Sequence, residues 1–307
     1  MRVAFFGTPE FAVPSLEALL AVGHDVVLVV TQPDHGEGHL HRTPRPPAVK
    51  RAAESAGLRI AQPDRPRGEA LLTLMRDLQV DLGVVVAYGH LLRPELLAIP
   101  RLGFVNVHAS LLPRWRGAAP IHWAILSGDR ETGVAIMRVE AGLDTGGVWH
   151  SQRIPIADSD TTGALFTRLA TLGAHALIEA LPAIAAGTEP VPQAESEATL
   201  APKISRDLAR VHWDEPAERV SCRLRAMDPR PGAWSTLAGH ELKLFEPTVV
   251  TVTPAAPGTI LVADHELVVA CKRDALRIGS LQPAGKRRME ARDWIRGSGP
   301  VPGIPFE

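Results

Sequence analysis

Apolar positions in the first half of the chain come as short runs separated by helical patterns. Val3-Ala4-Phe5-Phe6, Val26 to Thr31, Leu58 to Ala61 and Leu82 to Ala87 read as buried strands. Between them, Val13 to Leu20, Pro47 to Gly57 and Gly68 to Leu78 space their apolar residues as helices do. This alternation predicts parallel βαβ units, that is, an α/β domain with a doubly wound, mostly parallel sheet covered by helices on both faces. After a short apolar pair, Phe104-Val105, the pattern predicts a helix over Ala118 to Leu126. A hairpin follows, Val134 to Val139 and Val148 to Ile156, around the loop Gly142-Leu143-Asp144-Thr145-Gly146. Thr162 to Ala186 reads as one long helix.

The pattern then changes. Gly187 to Ala201 carries Pro190, Pro192 and glutamates with little apolar periodicity, and reads as a linker. Pro216 to Met227 is again helical. Beyond it, Gly/Pro turns separate short strands at Leu242 to Phe245, Thr259 to Val262, Leu267 to Cys271 and Leu276 to Leu281. Closely spaced strands of this kind predict a small β-barrel. The predicted division is a first domain over 1–189, a connecting segment over 190–207 and a second domain over 208–307.

Composition narrows the class. A chain of 307 residues with 45% hydrophobic residues supports one large or two ordinary globular domains. A formal net charge of −1 leaves any nucleic-acid contact to local patches. Basic residues that could form one recur at Arg42, Arg45, Lys50 and Arg51, at Lys203 and Arg206, and at Arg223, Arg225, Lys286, Arg287 and Arg288. Cys222 and Cys271 alone argue against a disulfide scaffold or zinc ribbon and fit a reducing cytosol. No apolar run is read as approaching the ~18 residues of a membrane span. The strand at Val3 leaves no room for a leader, so a cytoplasmic protein is expected.

The candidate chemistry centres on Asn106-Val107-His108. In an extended segment residues two apart face the same side, so Asn106 and His108 would share one space while Val105 and Val107 face away. An imidazole can take a proton from an attacking amine near neutral pH. A carboxamide can donate to an oxygen that becomes negative. Asp144 could orient the imidazole, stabilise its protonated form or hold a water. Read singly, His108 could equally be a hydrogen-bonded structural residue, and Asn106 and Asp144 turn formers. The chain has no Gly-x-Gly-x-x-Gly after its first strand, no Walker loop and no Gly-x-Ser-x-Gly elbow. The stretch His35-Gly36-Glu37-Gly38-His39-Leu40-His41 reads as a solvated loop rather than a metal site.

Asn106-x-His108, the run Ser110-Leu111-Leu112-Pro113-Arg114-Trp115-Arg116-Gly117-Ala118-Ala119-Pro120-Ile121 and Gly142-Leu143-Asp144-Thr145-Gly146 closely resemble the methionyl-tRNA formyltransferases, within the folate-dependent formyltransferase superfamily. The resemblance extends to Phe6-Gly7-Thr8-Pro9, Val86-Ala87-Tyr88-Gly89, Pro257-Gly258-Thr259-Ile260 and Ser280 to Lys286. It implies a Rossmann-like formyltransferase domain and an OB-like barrel that helps to hold tRNA. It implies 10-formyltetrahydrofolate as cosubstrate, contacted by Ser110, Leu111, Leu112 and Pro113, with Tyr88 and Gly89 also bordering it. It further implies methionyl initiator tRNA as partner, no metal, no membrane and a monomer. Asn106 would hold the oxyanion, His108 the amine proton, and Asp144 would support His108. The chain departs from the family at Glu37, where a basic residue is common, at Leu200, where tyrosine is usual, and at His212, where an acid is usual. A formyltransferase acting on a sugar-nucleotide amine is the alternative on these motifs. A glycinamide ribonucleotide enzyme is disfavoured by the barrel-like tail. A non-enzymatic RNA-binding module is disfavoured by the intact Asn/His/Asp set.

Overall fold

The structure, a computed structural model, describes residues 1–34 and 45–307, the side chain of Ser298 excepted. Arg42 and the His35 to His41 stretch with Glu37 lie outside the described residues. The elements follow in chain order as β1 (Arg2–Gly7), α1 (Val13–Ala21), β2 (Asp25–Val30), α2 (Ala48–Ser55), β3 (Ile60–Ala61), α3 (Glu69–Asp77), β4 (Leu82–Val86), α4 (Pro94–Leu97), β5 (Phe104–His108), α5 (Pro120–Leu126), β6 (Glu131–Arg138), β7 (Val148–Pro155) and α6 (Thr162–Ala185). The C-terminal part adds α7 (Ala217–Met227), β8 (Ala233–Leu237), β9 (His240–Val250), β10 (Ile260–Ala263), β11 (Leu267–Ala270), β12 (Ala275–Pro283), β13 (Met289–Glu290) and α8 (Ala291–Ser298).

Two compact units result. The first holds Met1–Pro120, Thr132–Ile154 and Phe166–Ala201, and the second holds Ile121–Glu131, Pro155–Leu165 and Pro202–Glu307. The stretch read as a linker is therefore largely part of the first unit. Val191 bridges Val148 and Leu200 bridges Arg116.

Among the described residues the first sheet has seven strands in the order β3-β2-β1-β4-β5-β6-β7. The β1–β2, β1–β4, β2–β3 and β4–β5 pairs are parallel, and β6 joins β5 antiparallel. Val3 to Phe6 are fully buried, as a central strand covered on both faces requires. Phe6 meets Tyr88 and Phe104 edge-on, at 5.5 and 5.4 Å between ring centres. Leu71, Leu72 and Met75 of α3 belong to the same core. Contrary to the sequence expectation, α6 is long and apolar enough to span a membrane, but half of its most apolar window is buried within the protein.

The order of strands positions the site. From β1 the chain winds outward through β2 and β3, then returns to β4 on the other side of β1. The connections therefore part at the carboxyl ends of β1 and β4, where an open α/β sheet forms its ligand crevice. Thr8, just after β1, donates its hydroxyl to the Tyr88 carbonyl across that point at 3.3 Å. The Gln32 amide donates to the same carbonyl at 2.9 Å.

The second unit is built on an antiparallel sheet in the order β10-β11-β12-β9-β8, with β13 on β12. The C-terminal residues close it. Phe306 N–H donates to Gly258 at 2.8 Å and Glu307 N–H to Thr236 at 2.9 Å, while Ile260 N–H donates to Ile304 at 3.1 Å. One short segment thus pairs next to both edge strands, β8 and β10, and makes a barrel of the sheet. Phe306 is buried and packs on Trp213. Residues 303–307 were not anticipated as part of the sheet, because Pro302 and Pro305 read as loop.

Candidate active site

Strand β5 supplies the first two side chains. The Phe104 ring lies over Gly83, where a Cβ would come within 2.1 Å of it, so only glycine fits there. Val107 packs on the opposite face against Gly173 of α6. Asn106 and His108 consequently share the face away from α6, as the alternation of the strand demands. Asn106 is half-buried, and its carboxamide makes no hydrogen bond among the described residues. His108 is buried.

The following loop fixes the imidazole. His108 Nε2 lies 2.9 Å from the Trp115 carbonyl oxygen. A carbonyl only accepts, so Nε2 carries the hydrogen and donates it. In the neutral ring Nδ1 is then the nitrogen with the free lone pair. Nδ1 faces Asp144 Oδ2 at 3.7 Å. That is too long for a hydrogen bond, and it leaves the carboxylate directly beside the open nitrogen of the ring. Asp144 Oδ2 also accepts the Gly117 N–H at 2.8 Å.

Two residues of this arrangement hold left-handed backbone, Trp115 with φ 65° and Asp144 with φ 53°. Such conformations cost an L-residue roughly 1–2 kcal/mol and persist only where surrounding contacts impose them. Residues 193–199 provide those contacts. Thr199 Oγ1 accepts the Trp115 N–H at 2.9 Å, and the Thr199 carbonyl accepts the Arg116 N–H at 2.9 Å. The Gln193 amide donates to the carbonyls of Asp144 and Gly146 at 2.9 and 2.7 Å. Gln193 Oε1 in turn accepts from Arg116 Nε at 3.0 Å. The buried Arg116 guanidinium forms two parallel bonds to Glu195, at 2.9 and 2.8 Å. This pairing holds the Glu195 carboxyl below its ordinary value, with the hydrogen bond from Arg116 as the main cause. Gly117 has φ 121°, and a Cβ there would lie 2.8 Å from the Ala201 carbonyl. The sequence reading missed Gln193, Glu195 and Thr199, since a Pro/Glu-rich stretch carries no mark of such a role.

The other predicted residues surround this centre unequally. Ser110 is buried and donates its hydroxyl to the Arg114 carbonyl at 2.6 Å, so it shapes the loop. Leu111, Leu112 and Pro113 are half-buried. Gly89, with φ 86°, sits against Gln32, where a Cβ would approach Nε2 to 2.7 Å. The Tyr88 ring lies in the core beside Phe6, and its hydroxyl has no partner among the described residues. Only the main chain of Tyr88 therefore faces the switch point. Among the described residues no group of three or more His, Cys, Asp or Glu could hold a metal ion.

Basic side chains divide into committed and free. Arg288 is held by Asp228, Glu246 and Ser280, Arg223 by Glu215, and Arg225 by the Asp160 carbonyl. Lys50 pairs with Asp34, and Arg51 with Glu10. Arg206 pairs with Glu241 and lies over the Trp234 ring. Arg45, Lys203, Lys286 and Arg287 are exposed and have no ion pair among the described residues. The conjecture of a phosphate-tracking surface therefore narrows to these last four.

A formyl transferase family model matches residues 1–181, and a formyl transferase C-terminal domain model matches residues 203–299. The chain is 49% identical over 298 residues to a methionyl-tRNA formyltransferase of Methylococcus capsulatus, covering 96% of each chain. Two solved structures share the fold. An N-formyltransferase from Helicobacter canadensis, in complex with folinic acid and dTDP-3-aminofucose, matches with a TM-score of 0.70 and 16% identity, over 92% of this chain and 99% of that one. HypX from Aquifex aeolicus, in complex with tetrahydrofolic acid, matches with a TM-score of 0.64 and 19% identity. The match takes in 96% of this chain but spans 47% of HypX.

Proposed function

The chain belongs to the methionyl-tRNA formyltransferase family, and we propose that it transfers a formyl group from 10-formyltetrahydrofolate to the α-amino group of methionyl initiator tRNA, with Asn106, His108 and Asp144 as its catalytic residues. The observation that carries this assignment is the convergence of an unpartnered carboxamide and an imidazole whose Nδ1 faces a carboxylate at 3.7 Å. Acyl transfer to an amine asks for those groups. The amine loses a proton as it attacks the formyl carbon, and His108 Nδ1 takes it. Asp144 stabilises the imidazolium that results. Asn106 donates to the formyl oxygen as negative charge builds on it, and the imidazolium would return its proton to the donor nitrogen as that nitrogen's bond to the formyl carbon breaks, releasing tetrahydrofolate. A positioned base contributes roughly 10²–10⁴ in rate, and one oxyanion donor about 10²–10³.

The half-buried Leu111, Leu112 and Pro113 beside the crevice suit the flat, largely apolar ring system of a folate. Ser110 would support that wall through its bond to Arg114, and Tyr88 and Gly89 would offer main-chain groups. The bound donor supplies an activated formyl group on nitrogen. The domain roles follow: the first unit carries the chemistry, and the second, with Lys286 and Arg287 free, holds tRNA. Translation initiation in the cytoplasm, by a monomer, is the setting this reading implies.

The test offers labelled 10-formyltetrahydrofolate with charged initiator tRNA, charged elongator tRNA and amino-sugar nucleotides side by side. Formylation of the initiator tRNA is expected, and formylation of only the sugar overturns the proposed acceptor. Asn106→Ala, His108→Ala and Asp144→Ala should each lower kcat by roughly 10²-fold or more while tRNA affinity holds. Near-normal turnover in all three refutes the site.

A further inference from the structure

The Asp144 carboxylate sits where it can act on His108 only because a left-handed turn and a second strained loop meet. Neither is held by its own sequence neighbours alone. Gln193, some fifty residues further along, supplies both amide hydrogens to the Asp144 turn, at the carbonyls of Asp144 and Gly146. Its remaining polar atom, Oε1, accepts from Arg116. Arg116 lies between Trp115, whose carbonyl orients His108, and Gly117, whose N–H binds Asp144. One carboxamide thus ties the turn that carries the acid to the loop that orients the base.

We propose that Gln193 is a positioning residue for the formyl transfer, holding the Asp144 carboxylate in register with His108 Nδ1, with Arg116 and Glu195 as its anchor. The inference rests on Asp144 acting with His108 in that reaction. Its physical basis is satisfaction of a complete set. The carboxamide has two donors and two strong acceptors for them, and its own oxygen meets a guanidinium N–H. Glutamate in the same place would keep the bond to Arg116 but present an oxygen to two carbonyls that need donors. Alanine would release both sides. A misplacement of a reacting group by about 1 Å can cost on the order of 10²-fold in rate.

The experiment compares Gln193→Ala, Gln193→Glu, Asp144→Ala and the Gln193→Ala/Asp144→Ala pair in the full-length protein, by steady-state formylation of methionyl initiator tRNA. Thermal unfolding is measured on each variant. Gln193→Ala and Gln193→Glu should both lower kcat by about ten- to hundredfold, with KM for either substrate changed less than about threefold. In the Asp144→Ala background, Gln193→Ala should add little further loss, because the group it positions is gone. The Gln193→Glu arm keeps the Arg116 contact, so it reads positioning even where the alanine variant folds poorly. Wild-type turnover in Gln193→Glu would show that Gln193 merely satisfies Arg116, and the inference falls. Equal, independent losses in the two backgrounds also overturn it. Wild-type turnover in Asp144→Ala itself would instead strike the assignment of the site, and the inference with it.

Discussion

Tyr88 offers a measurement that the sequence makes unusually clean, because it is the single tyrosine of the chain. Its ring is 1% exposed and its hydroxyl has no partner among the described residues. An unsatisfied buried hydroxyl costs about 1–3 kcal/mol. Tyr88→Phe keeps the edge-on packing against Phe6 and His90 and removes that cost. The variant should therefore gain about 1–2 kcal/mol, or roughly 2–6 °C in the melting of its unit. The wild type gives an independent reading. Burial pushes the phenol up from its ordinary 10.0 to about 12. A folded value above the unfolded one means that the contribution is fully present below pH ~10 and is lost as pH rises through ~12. Its full size is at most about 2–3 kcal/mol. Absorbance of the phenolate band during alkaline titration follows this one residue, and the pH dependence of stability above pH ~10 should be weaker in Tyr88→Phe. Ionisation near the ordinary value in folded protein, or a loss of more than about 1 kcal/mol in Tyr88→Phe, would refute the argument. A raised KM for the folate donor would show the hydroxyl reaching the crevice instead of the core.

Phe306→Ala should destabilise the C-terminal unit by about 3–5 kcal/mol, since its buried ring anchors the segment that joins both edge strands; a urea midpoint unchanged from wild type would mean that the barrel holds without it. Cys271 is buried, and desolvation together with Glu218 and Asp274 pushes its thiol up to about 12. It should resist thiol-modifying reagents near pH 8 until the protein unfolds, and rapid modification of Cys271 in native protein, located by mass spectrometry, would contradict that packing.

The α/β half was legible because its strands are buried on both faces. Val3 to Phe6, Val26 to Val30 and Leu82 to Val86 are continuous apolar runs, and each became a strand. The period-two rule also put Asn106 and His108 on one side, which Val107 against Gly173 bears out. What stayed hidden depends on partners distant in the chain. β8 is five residues between turns, α4 is one turn long, and β9 runs on through Pro247, so local pattern gave too little or contrary signal. The closing segment at 303–307 follows Pro302, contains Pro305, and reveals itself only through Gly258 and Thr236. Charge was equally opaque. Lys286, Arg287 and Arg288 are adjacent, yet only Arg288 is consumed by Asp228 and Glu246, which the sequence places sixty and forty-two residues away.

The geometry around His108 shows why the long Leu-Leu-Pro-Arg-Trp-Arg-Gly run matters beyond lining a crevice. An imidazole has two basic positions, and a base catalyst needs one of them spoken for. The Trp115 carbonyl occupies Nε2 and leaves Nδ1 facing the carboxylate, so in the proposed reaction the main chain selects the atom that takes the proton. That carbonyl points at the ring because Trp115 holds a left-handed conformation. The conformation is kept by Thr199 at its own N–H and by Arg116 one residue on, pinned to Glu195 and Gln193. Two residues on, the Gly117 N–H donates to Asp144 Oδ2, the same oxygen that faces His108, and a side chain at Gly117 would collide with Ala201. Three consecutive residues, 115, 116 and 117, therefore orient the imidazole, anchor the segment that steadies them, and bind the carboxylate. Substitution at 115–117 would disturb the imidazole and the carboxylate without touching the folate contacts proposed for Leu111, Leu112 and Pro113, so loss of turnover there need not mean loss of binding.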